Sequence, residues 1–522
     1  MTPPDQGRLV ADGATRVRQA LLSKPVQAVL TVLALGALTE HLPFPRLRAF
    51  SAADRPRVAN SQAQLTRPEA GEAQLTEATS KATLATPQRL SGRNPATPFG
   101  GQDAPLDWSK IETEAPPVPI VDSTGRALDG FFSALERTQR GTPGAVTRIA
   151  HFGDSVIVSD YVSGTLRRKL QATFGDAGHG YMLLANAWPA YFHNDVFRFA
   201  SSGFRVSRIV GPTIKDALYG LGGVTFKASP GLIAQFGTAD EGDFGRKVSR
   251  FTVSYLAEPG AGTILVKVDA QEPRAIDTNE GQRAVKRHEI RVPDGPHRFE
   301  LSFRGSTSRA FGVVLERDVP GVVLDALGVQ GARIRFLDQQ DDAHYKDELV
   351  WRNPSLIAYQ FGANESGDGY AYPMDEYQKT MQAVIAQGRA ALPDASCLVI
   401  GAMDRARVEN GQVTSMKIIQ LIVAEQRRAA AALGCAYFDT YQAMGGWGSM
   451  PTWVRRGLGQ ADMTHPSGVG AIRIGNWLYQ ALMDRYAEYL KRREAERSSP
   501  GEPEHGSAGE VERREPPEPV TP

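Results

Sequence analysis

This sequence contains few cysteines and carries almost no net charge, and each of these properties excludes a class of function. Only Cys397 and Cys435 occur in 522 residues, and no cysteine and histidine residues have the spacing of a metal site. Lysine plus arginine (59) almost equals aspartate plus glutamate (58), so the net charge of +1 leaves no electrostatic footprint for nucleic acid. We therefore predict no metal, no cofactor and no nucleic-acid partner.

Long apolar runs are also missing. The most apolar stretch near the start, residues 26–39, is shorter than the roughly 17–25 residues of a membrane span, and basic residues precede it. We expect residues 1–45 to be a cytoplasmic stub followed by a signal peptide or an uncleaved membrane anchor, with a buried helix as the alternative. Both a signal peptide and a membrane anchor would place the rest of the chain in the periplasm or another extracytoplasmic space.

Two segments lack the apolar periodicity of a folded domain. Residues 46–119 are rich in Ala, Thr, Pro, Gln and Glu, and residues 492–522 are charged and rich in proline. Such segments bury too little apolar surface to offset the entropy lost on ordering. We predict a disordered linker and a disordered tail.

The remaining chain alternates between two patterns. Strands followed by helices at residues 120–196 and 322–491 predict an α/β domain with a parallel sheet. Short alternating runs at residues 197–321 predict an all-β sandwich inserted into it, with Pro293-Asp294-Gly295-Pro296 as a turn. Helices are also expected from Met374 to Ala391, from Thr414 to Leu433 and from Gly468 to Lys491.

The two cysteines each lie in a strand-like apolar run. Cys397 precedes Leu398-Val399-Ile400, and Cys435 precedes Ala436-Tyr437-Phe438. Buried free thiols are the simpler interpretation, because free cysteine packs as a small apolar residue. A disulfide is the alternative if the domain is exported.

Ser155 is the leading candidate for catalysis. It follows the apolar strand Val146–Phe152 and precedes a helix, where α/β enzymes place a nucleophile. A serine needs a base, and a histidine held by a carboxylate serves best near neutral pH. Asp462 and His465 are three residues apart, so one short turn can hold both side chains.

Two loops that follow strands could supply donors to an oxyanion. Asn364 comes after the apolar run Leu356–Phe361, at the strand end where parallel sheets bind ligands. Gly331 and Gly328 both follow the apolar run at Val322, and glycine permits the tight turn that points an N–H at a ligand.

These blocks resemble the SGNH, or GDSL-like, hydrolase superfamily over about residues 121–491. The matching residues are Gly153-Asp154-Ser155, Gly331, Gly362-Ala363-Asn364 and Asp462-Met463-Thr464-His465. The resemblance implies a three-layer α/β/α domain with Ser155 as nucleophile, His465 as base and Asp462 orienting the base. It also implies oxyanion donors from the Ser155 N–H, the Gly331 N–H and the Asn364 side chain, with Gly328 as the alternative glycine.

The number of residues between the first two blocks indicates a particular group within this superfamily. Ser155 and Gly331 are much farther apart than the roughly 30 residues of one βα step, so a separate module fills the gap. An exported domain with such an insert resembles bacterial peptidoglycan O-acetylesterases, whose insert is similar to a carbohydrate-binding module. The resemblance implies a serine esterase that removes O-acetyl groups from an envelope glycan. The O-acetylated glycan is its expected substrate, and the sequence identifies no protein partner.

Two other functions remain open at this stage. The same triad can pass an acetyl group to a sugar hydroxyl, which would make the chain an O-acetyltransferase. Alternatively, the chain is a wall-glycan-binding protein without catalysis, in which Trp188, Tyr191 and Phe192 stack on sugars; such aromatic clusters are more often core. His151, His179 and His193 rank below His465, and Glu365 is expected to fix its own turn.

Overall fold

A computed structural model describes residues 116–498 of the protein. The predicted stub and apolar segment at residues 1–45, most of the predicted linker at 46–119 and the last part of the predicted tail lie outside the described residues. Between residues 116 and 498, no helix combines the length and the apolarity that crossing a membrane requires.

A five-stranded parallel sheet forms the centre of the α/β part. Its strands, in chain order, are β1 Val146–Gly153, β13 Gly321–Gly328, β14 Leu356–Gln360, β15 Ser396–Ile400 and β18 Ala436–Phe438. They lie in the spatial order β13, β1, β14, β15, β18, and all neighbours run parallel. The strands are almost wholly buried, because helices cover both faces.

Helices form a layer on each side of this sheet. One layer contains α1 Asp129–Gln139, α3 Tyr161–Phe174 and α9 Gly468–Ser498, whose apolar side chains share one cluster with the sheet. The other contains α4 Asp342–Arg352, α5 Met374–Ala391 and α6 Ile418–Ala432, which pack into the second cluster. The predicted three-layer α/β/α architecture is confirmed.

Between α3 and β13 the chain forms two antiparallel sheets. One has the order β10, β7, β12, β5, β4, with β2 also paired to β12, and the other has the order β3, β6, β11, β8, β9. The bounds are β2 Gly180–Leu183, β3 Val196–Ala200, β4 Arg205–Arg208, β5 Val224–Ala228, β6 Ile233–Thr238, β7 Val248–Ala257, β8 Thr263–Val268, β9 Arg274–Asp277, β10 Ala284–Gly295, β11 Arg298–Arg304 and β12 Ser308–Glu316.

The two antiparallel sheets face each other across an apolar core. Phe251 on β7 stacks on Phe299 on β11 with ring centroids 4.7 Å apart, and both side chains are fully buried. The predicted all-β sandwich within an α/β fold is therefore present. The sandwich also includes strand β2, Gly180–Leu183, which lies before the predicted start of the insert at residue 197. The backbone of β2 pairs with β12, and the Tyr181 hydroxyl donates to the Phe311 carbonyl.

Two local expectations differ from the structure. Pro293–Gly295 continues strand β10 with an irregular register after Arg291 and is not an isolated turn. Thr414 belongs to a hairpin, β16 Ala406–Glu409 and β17 Gln412–Ser415, so α6 begins only at Ile418. Strand propensity and the Asn410-Gly411 turn outweigh the helical spacing there.

The last helix continues past Lys491 through Ser498, into residues assigned to the tail by sequence. Ion pairs to the start of the domain account for the extra turns: Arg492 pairs with Asp129, and Glu496 pairs with Arg126 at 2.9 Å. A contact partner elsewhere in the fold thus extends a helix that local composition alone would end. Two short helices, α7 Thr440–Met444 and α8 Ser449–Arg455, precede it.

Buried ion pairs join the β-sandwich to the parallel sheet. Arg352 at the end of α4 contacts Asp325 on β13 and Glu316 on β12, each at 2.8 Å, and Arg148 on β1 contacts the same glutamate at 2.8 Å. The two arginines hold the pKa of the buried Glu316 far below its ordinary value, against the effect of desolvation. Arg250 on β7 also pairs with Glu316, so five charged groups satisfy one another at the place where the insert returns to the sheet.

Cys397 and Cys435 form a disulfide with Cα atoms 4.7 Å apart. Cys397 lies on β15, and Cys435 immediately precedes the neighbouring strand β18. The sequence left free thiols and a disulfide open, and the structure selects the disulfide. This pairing fits the expected extracytoplasmic location, because reducing compartments disfavour disulfides.

Candidate active site

Ser155, His465 and Asp462 lie in hydrogen-bond contact. The Ser155 Oγ atom is 2.7 Å from His465 Nε2, and His465 Nδ1 is 2.6 Å from Asp462 Oδ2. Ser155 is partly exposed, and the side chains of His465 and Asp462 are 18% and 40% exposed, so solvent and a substrate can reach the serine. This geometry allows histidine to take the serine proton while the carboxylate fixes the other ring nitrogen.

The end of β1 and the short helix α2, Ser155–Val158, position the serine. Asp154 caps that helix: its carboxylate accepts the Val156 N–H at 3.0 Å and also a hydrogen bond from the Ala363 backbone. Burial raises the pKa of Asp154 to about 6, against the effect of these hydrogen bonds. As the first residue of the helix, Ser155 has an N–H with no intrahelical acceptor, which leaves it available to an oxyanion.

The Asp462–His465 turn is shaped by its own hydrogen bonds. Asp462 Oδ1 accepts the backbone N–H groups of Thr464 at 2.9 Å and of His465 at 3.0 Å. Burial acts to raise the pKa of Asp462, but the hydrogen bonds from His465 and Thr464 hold this pKa at about 2. The carboxylate therefore stays ionised and keeps its orienting role over the physiological pH range.

The same turn is fastened to the rest of the domain on two sides. The Gln460 N–H donates to the His465 carbonyl at 2.9 Å, and the Ala406 N–H at the start of β16 donates to the Met463 carbonyl at 3.0 Å. Met463 adopts a left-handed backbone conformation with φ 55°, which reverses the chain tightly between the aspartate and the histidine. Tertiary contacts thus hold a turn that no strand of the central sheet supports directly.

The two glycines that the sequence left as alternatives have different surroundings. Gly328 ends β13 and is buried, and a Cβ atom there would lie 2.4 Å from the Val158 nitrogen, so this glycine allows α2 to pack closely. Gly331 lies in the following loop with φ 79°, and a Cβ atom added there would meet only Val210, at 3.6 Å. Its accessible loop position suits a donor to ligand better than the position of Gly328 does.

Asn364 lies in the loop that follows β14. Its side-chain amide donates to the Ala332 carbonyl at 2.9 Å, which links this loop to the one that contains Gly331. An amide nitrogen carries two hydrogens, so the second remains for another acceptor. The structure thus joins the two candidate oxyanion loops through one hydrogen bond.

Glu365 also connects these two loops. Its Oε1 atom accepts the Ile334 N–H at 2.9 Å, and its buried Oε2 atom has no hydrogen-bond partner among residues 116–498. Burial raises the pKa of Glu365 to about 7, although the hydrogen bond from Ile334 acts in the opposite direction. The hydrogen bond from Ile334 ties the side chain to a different segment and not only to its own turn, and Glu365 is too deeply buried to face solvent.

Arg405 belongs to the site but was not predicted from the sequence. Its Nη1 atom donates to the Ala363 carbonyl at 2.7 Å and to Ser366 Oγ at 2.9 Å, and its Nε atom donates to Thr464 Oγ1 at 3.0 Å. The position of Arg405 shortly after β15, at the carboxyl end of a sheet strand, was the available signal.

The three other histidines considered from the sequence, His151, His179 and His193, belong to the interior. His151 Nε2 is 3.1 Å from Gln360 Oε1 and its Nδ1 is 3.1 Å from Ser163 Oγ, and burial lowers its pKa to about 4. His179 and His193 contact each other at 2.7 Å and are buried, which lowers the pKa of both. Trp188 and Tyr191 are also buried, so the core interpretation is confirmed for these two rings, whereas Phe192 is half-buried.

Two groups of side chains in the described part have atoms close enough to share an ion. In one, Asp160 lies near His179 and His193, but both of its oxygens accept from Arg167, at 2.6 and 3.1 Å. The other consists of His344, Asp347 and Glu348; His344 contacts the Tyr219 carbonyl at 2.6 Å, and Arg287 contacts both acidic residues. Internal contacts already account for the placement of both groups.

Comparison with known proteins identifies the fold. No family model matches the chain. No curated protein sequence matches it either. A solved structure described as a peptidoglycan O-acetylesterase in action is 22% identical and superposes with a TM-score of 0.58, over 71% of this chain and 99% of that one. The chain therefore has a three-layer α/β/α fold of the SGNH type, with a β-sandwich between the first and second strands of its parallel sheet along the chain.

More distant similarities extend to other esterases. A family two carbohydrate esterase from Cellvibrio japonicus is 14% identical, with a TM-score of 0.23 over 56% of this chain and 99% of that one. A lipase/acylhydrolase from Enterococcus faecalis is 17% identical, with a TM-score of 0.25 over 32% of this chain and 77% of that one. The fold assignment rests on the first comparison alone.

Proposed function

We propose that this protein is a serine esterase that removes O-acetyl groups from a cell-envelope carbohydrate, with peptidoglycan as the preferred candidate. The observation that carries the proposal is the contact of Ser155 Oγ with His465 Nε2 at 2.7 Å, backed by Asp462 at 2.6 Å from His465 Nδ1. A serine, histidine and carboxylate in this order of contact suit acyl transfer on several unrelated folds.

The reaction would begin with attack by the serine. His465 takes the Ser155 proton as the oxygen attacks the acetyl carbonyl carbon, and the carbonyl oxygen becomes an oxyanion. The Ser155 N–H, the Gly331 N–H and the Asn364 amide then donate to this oxyanion; one such donor is worth about 2.7–4 kcal/mol of transition-state stabilisation. The tetrahedral intermediate collapses to an acetyl-enzyme as the bond between the carbonyl carbon and the sugar oxygen breaks and His465 gives the proton to the departing sugar oxygen.

Water completes the cycle. His465 removes a proton from a water molecule that attacks the acetyl-enzyme carbonyl, and a second tetrahedral intermediate forms at the same donors. Its collapse releases acetate, and the proton returns through His465 to Ser155. Asp462 stays ionised throughout and stabilises the imidazolium that appears in each half-reaction.

Exposed aromatic side chains support a sugar substrate at the α/β part. Tyr370 is 69% exposed and lies in the 3-10 helix Glu365–Ala371 that follows Asn364, and Trp447 is 45% exposed beside α8. Aromatic rings present an apolar face suited to the CH groups of a sugar ring. None of the strongly exposed large apolar side chains in the described part lies on the β-sandwich, so we assign the glycan contacts to the α/β part.

The choice of an O-acetylated envelope glycan has two supports. The structure with a TM-score of 0.58 carries the description of a peptidoglycan O-acetylesterase. The disulfide and the apolar segment at residues 26–39 fit an exported protein, with that segment as signal peptide or anchor. We therefore propose a periplasmic or other extracytoplasmic location.

Acetate release tests the proposal. Wild type and Ser155→Ala are each incubated with O-acetylated peptidoglycan, with a de-O-acetylated control, and with a small acetyl ester. We expect acetate from wild type and at least a thousandfold lower rate from the variant, because removal of the nucleophile removes the covalent route. Equal rates would reject the assignment, and acetylated acceptor in place of free acetate would establish a transferase.

A further inference from the structure

The side chain of Arg405 connects two segments that both carry groups of the proposed reaction. The first is the oxyanion loop, residues 363–366, which contains Asn364. The second is the base turn, residues 462–465, which contains Asp462 and His465. The two segments lie far apart in the chain, and Arg405 itself belongs to a third segment that follows β15.

Arg405 contacts the oxyanion loop through one nitrogen. Its Nη1 atom donates to the Ala363 carbonyl and to Ser366 Oγ, and Ser366 Oγ in turn donates to the Ala363 carbonyl at 2.6 Å. Arg405 Nη1, Ser366 Oγ and the Ala363 carbonyl oxygen are therefore all hydrogen-bonded to one another, close to Asn364 in the chain. Ser366 is fully buried, so no solvent competes for these contacts.

The base turn is held through a different nitrogen of the same group. Arg405 Nε donates to Thr464 Oγ1, the side chain directly before His465. The carboxylates of Asp462 and Asp154 both interact electrostatically with the guanidinium, although neither is in an ion-pair contact with it. A planar group with several fixed donors suits this double attachment, whereas an ammonium cannot span both loops in one plane.

We propose that Arg405 is a positioning residue that clamps the oxyanion loop to the base turn and so sets the distance between the oxyanion donors and His465. The inference rests on the proposed serine-esterase function. Arg405 acts through Asn364 and His465 and does not touch the reacting atoms. A misplacement of about 1 Å among such groups can cost about 100-fold in rate, so the clamp is expected to affect turnover more than binding.

Covalent labelling of Ser155 by a fluorophosphonate tests the clamp independently of the natural substrate. In that reaction the Ser155 oxygen forms a bond to phosphorus, the phosphorus–fluorine bond breaks, fluoride leaves and the serine proton passes to His465. We expect Arg405→Met to lower the second-order labelling rate 10- to 100-fold and Arg405→Lys to retain an intermediate rate. The matched control is Arg389→Met, a half-buried arginine on α5 that donates to the Leu433 carbonyl; its rate should stay within twofold of wild type.

Kinetics with the small acetyl ester add a second readout. Arg405→Met should lower kcat 10- to 100-fold while KM changes less than threefold, and added guanidinium should restore part of the rate. A purely structural role would instead lower the fraction of folded protein and leave the kcat of that fraction unchanged, with no rescue. Labelling and kcat within twofold of wild type in a folded Arg405→Met variant would overturn the proposal.

A milder variant keeps the test decisive if Arg405→Met does not fold. Thr464→Val removes the acceptor of Arg405 Nε and also the longer hydrogen bond, 3.2 Å, from Thr464 Oγ1 to the Asp462 carbonyl. We expect a three- to tenfold lower labelling rate. Combined with Arg405→Lys, it should cost less than the product of the two single effects, because both changes break the same connection. Full additivity, or no effect of Thr464→Val, would overturn the clamp. If wild type labels readily but releases no acetate, the proposed substrate fails and the clamp is still decided by labelling.

Discussion

Ser155 Oγ lies 2.7 Å from His465 Nε2, although 310 residues separate the two in the chain. The β-sandwich and four of the five sheet strands lie between them in sequence. The contact therefore forms only when α9 and the segment before it pack against the same sheet that carries Ser155. Any change that separates these elements should reduce activity before it unfolds either one.

Asp462→Asn tests the orienting role of the carboxylate. The asparagine oxygen can still accept the backbone N–H groups, but its amide favours the wrong tautomer of His465, so we expect a loss of roughly 10²–10⁴-fold in kcat. Because the pKa of Asp462 is about 2, the loss should be similar at every pH from 5 to 9. Initial rates on a small acetyl ester measure this. The control, Asp375→Asn on the exposed start of α5, should keep wild-type activity.

Glu365→Gln tests the consequence of burying an acid. The pKa of Glu365 is raised from its ordinary 4.5 to about 7, so the folded state holds a proton that the unfolded chain releases. The associated stability is fully present below about pH 4.5 and is lost as the pH rises through 7; the full span is worth roughly 3 kcal/mol. The glutamine variant cannot ionise, so it should gain stability relative to wild type between pH 5 and 8.

Urea unfolding at several pH values measures this difference. Glu376→Gln, an exposed glutamate at the start of α5, provides the control and should follow wild type at every pH. Parallel stability curves for wild type and Glu365→Gln would show that Glu365 does not titrate in this range in the folded protein.

Removal of the disulfide should separate stability from activity. Cys397 and Cys435 are 38 residues apart, and closing a loop of that length stabilises a fold by about 2–4 kcal/mol. Cys397 lies near the amino end of β15, whereas Ser155 and Asn364 follow the carboxyl ends of their strands. The double variant Cys397→Ala/Cys435→Ala should therefore lose this stability and keep kcat within twofold well below its melting temperature.

Thermal unfolding and ester hydrolysis at 20–25 °C check both parts. Wild type reduced with dithiothreitol serves as a second form without the bond and should match the variant in both measurements. A tenfold lower kcat in either folded form would contradict the separation and would imply that the bond supports the active site.

Elements with strong local signals could be predicted from sequence. The helix Met374–Ala391 and the strand Ala436–Phe438 coincide with their predicted bounds, because apolar spacing and neighbouring turns agree at both. The β16–β17 hairpin was missed because the residues from Thr414 also fit a helical spacing. The turn at Pro293 was expected from proline and glycine, whose local preference is overridden by pairing of β10 with β7.

The candidate site also combines residues that local sequence patterns reveal with one residue that only long-range contacts reveal. Serine after an apolar strand, Asn364 after another and Asp462 three residues before His465 are local patterns that the chain displays by itself. Arg405 carries no such pattern, since an arginine in a loop is ordinary until its partners are known. Its three hydrogen bonds to Ala363, Ser366 and Thr464 depend on how separate loops approach one another.

The sequence by itself determined the class of fold, the presence of a β module between two halves of an α/β domain and the residue types available for ester chemistry. Only the tertiary structure decided that Cys397 and Cys435 are bonded, that Gly331 and not Gly328 lies in an open loop, and that Arg405 joins two loops. The physical reason is range: periodicity and turn preference act over a few residues, whereas these contacts join segments that only packing brings together.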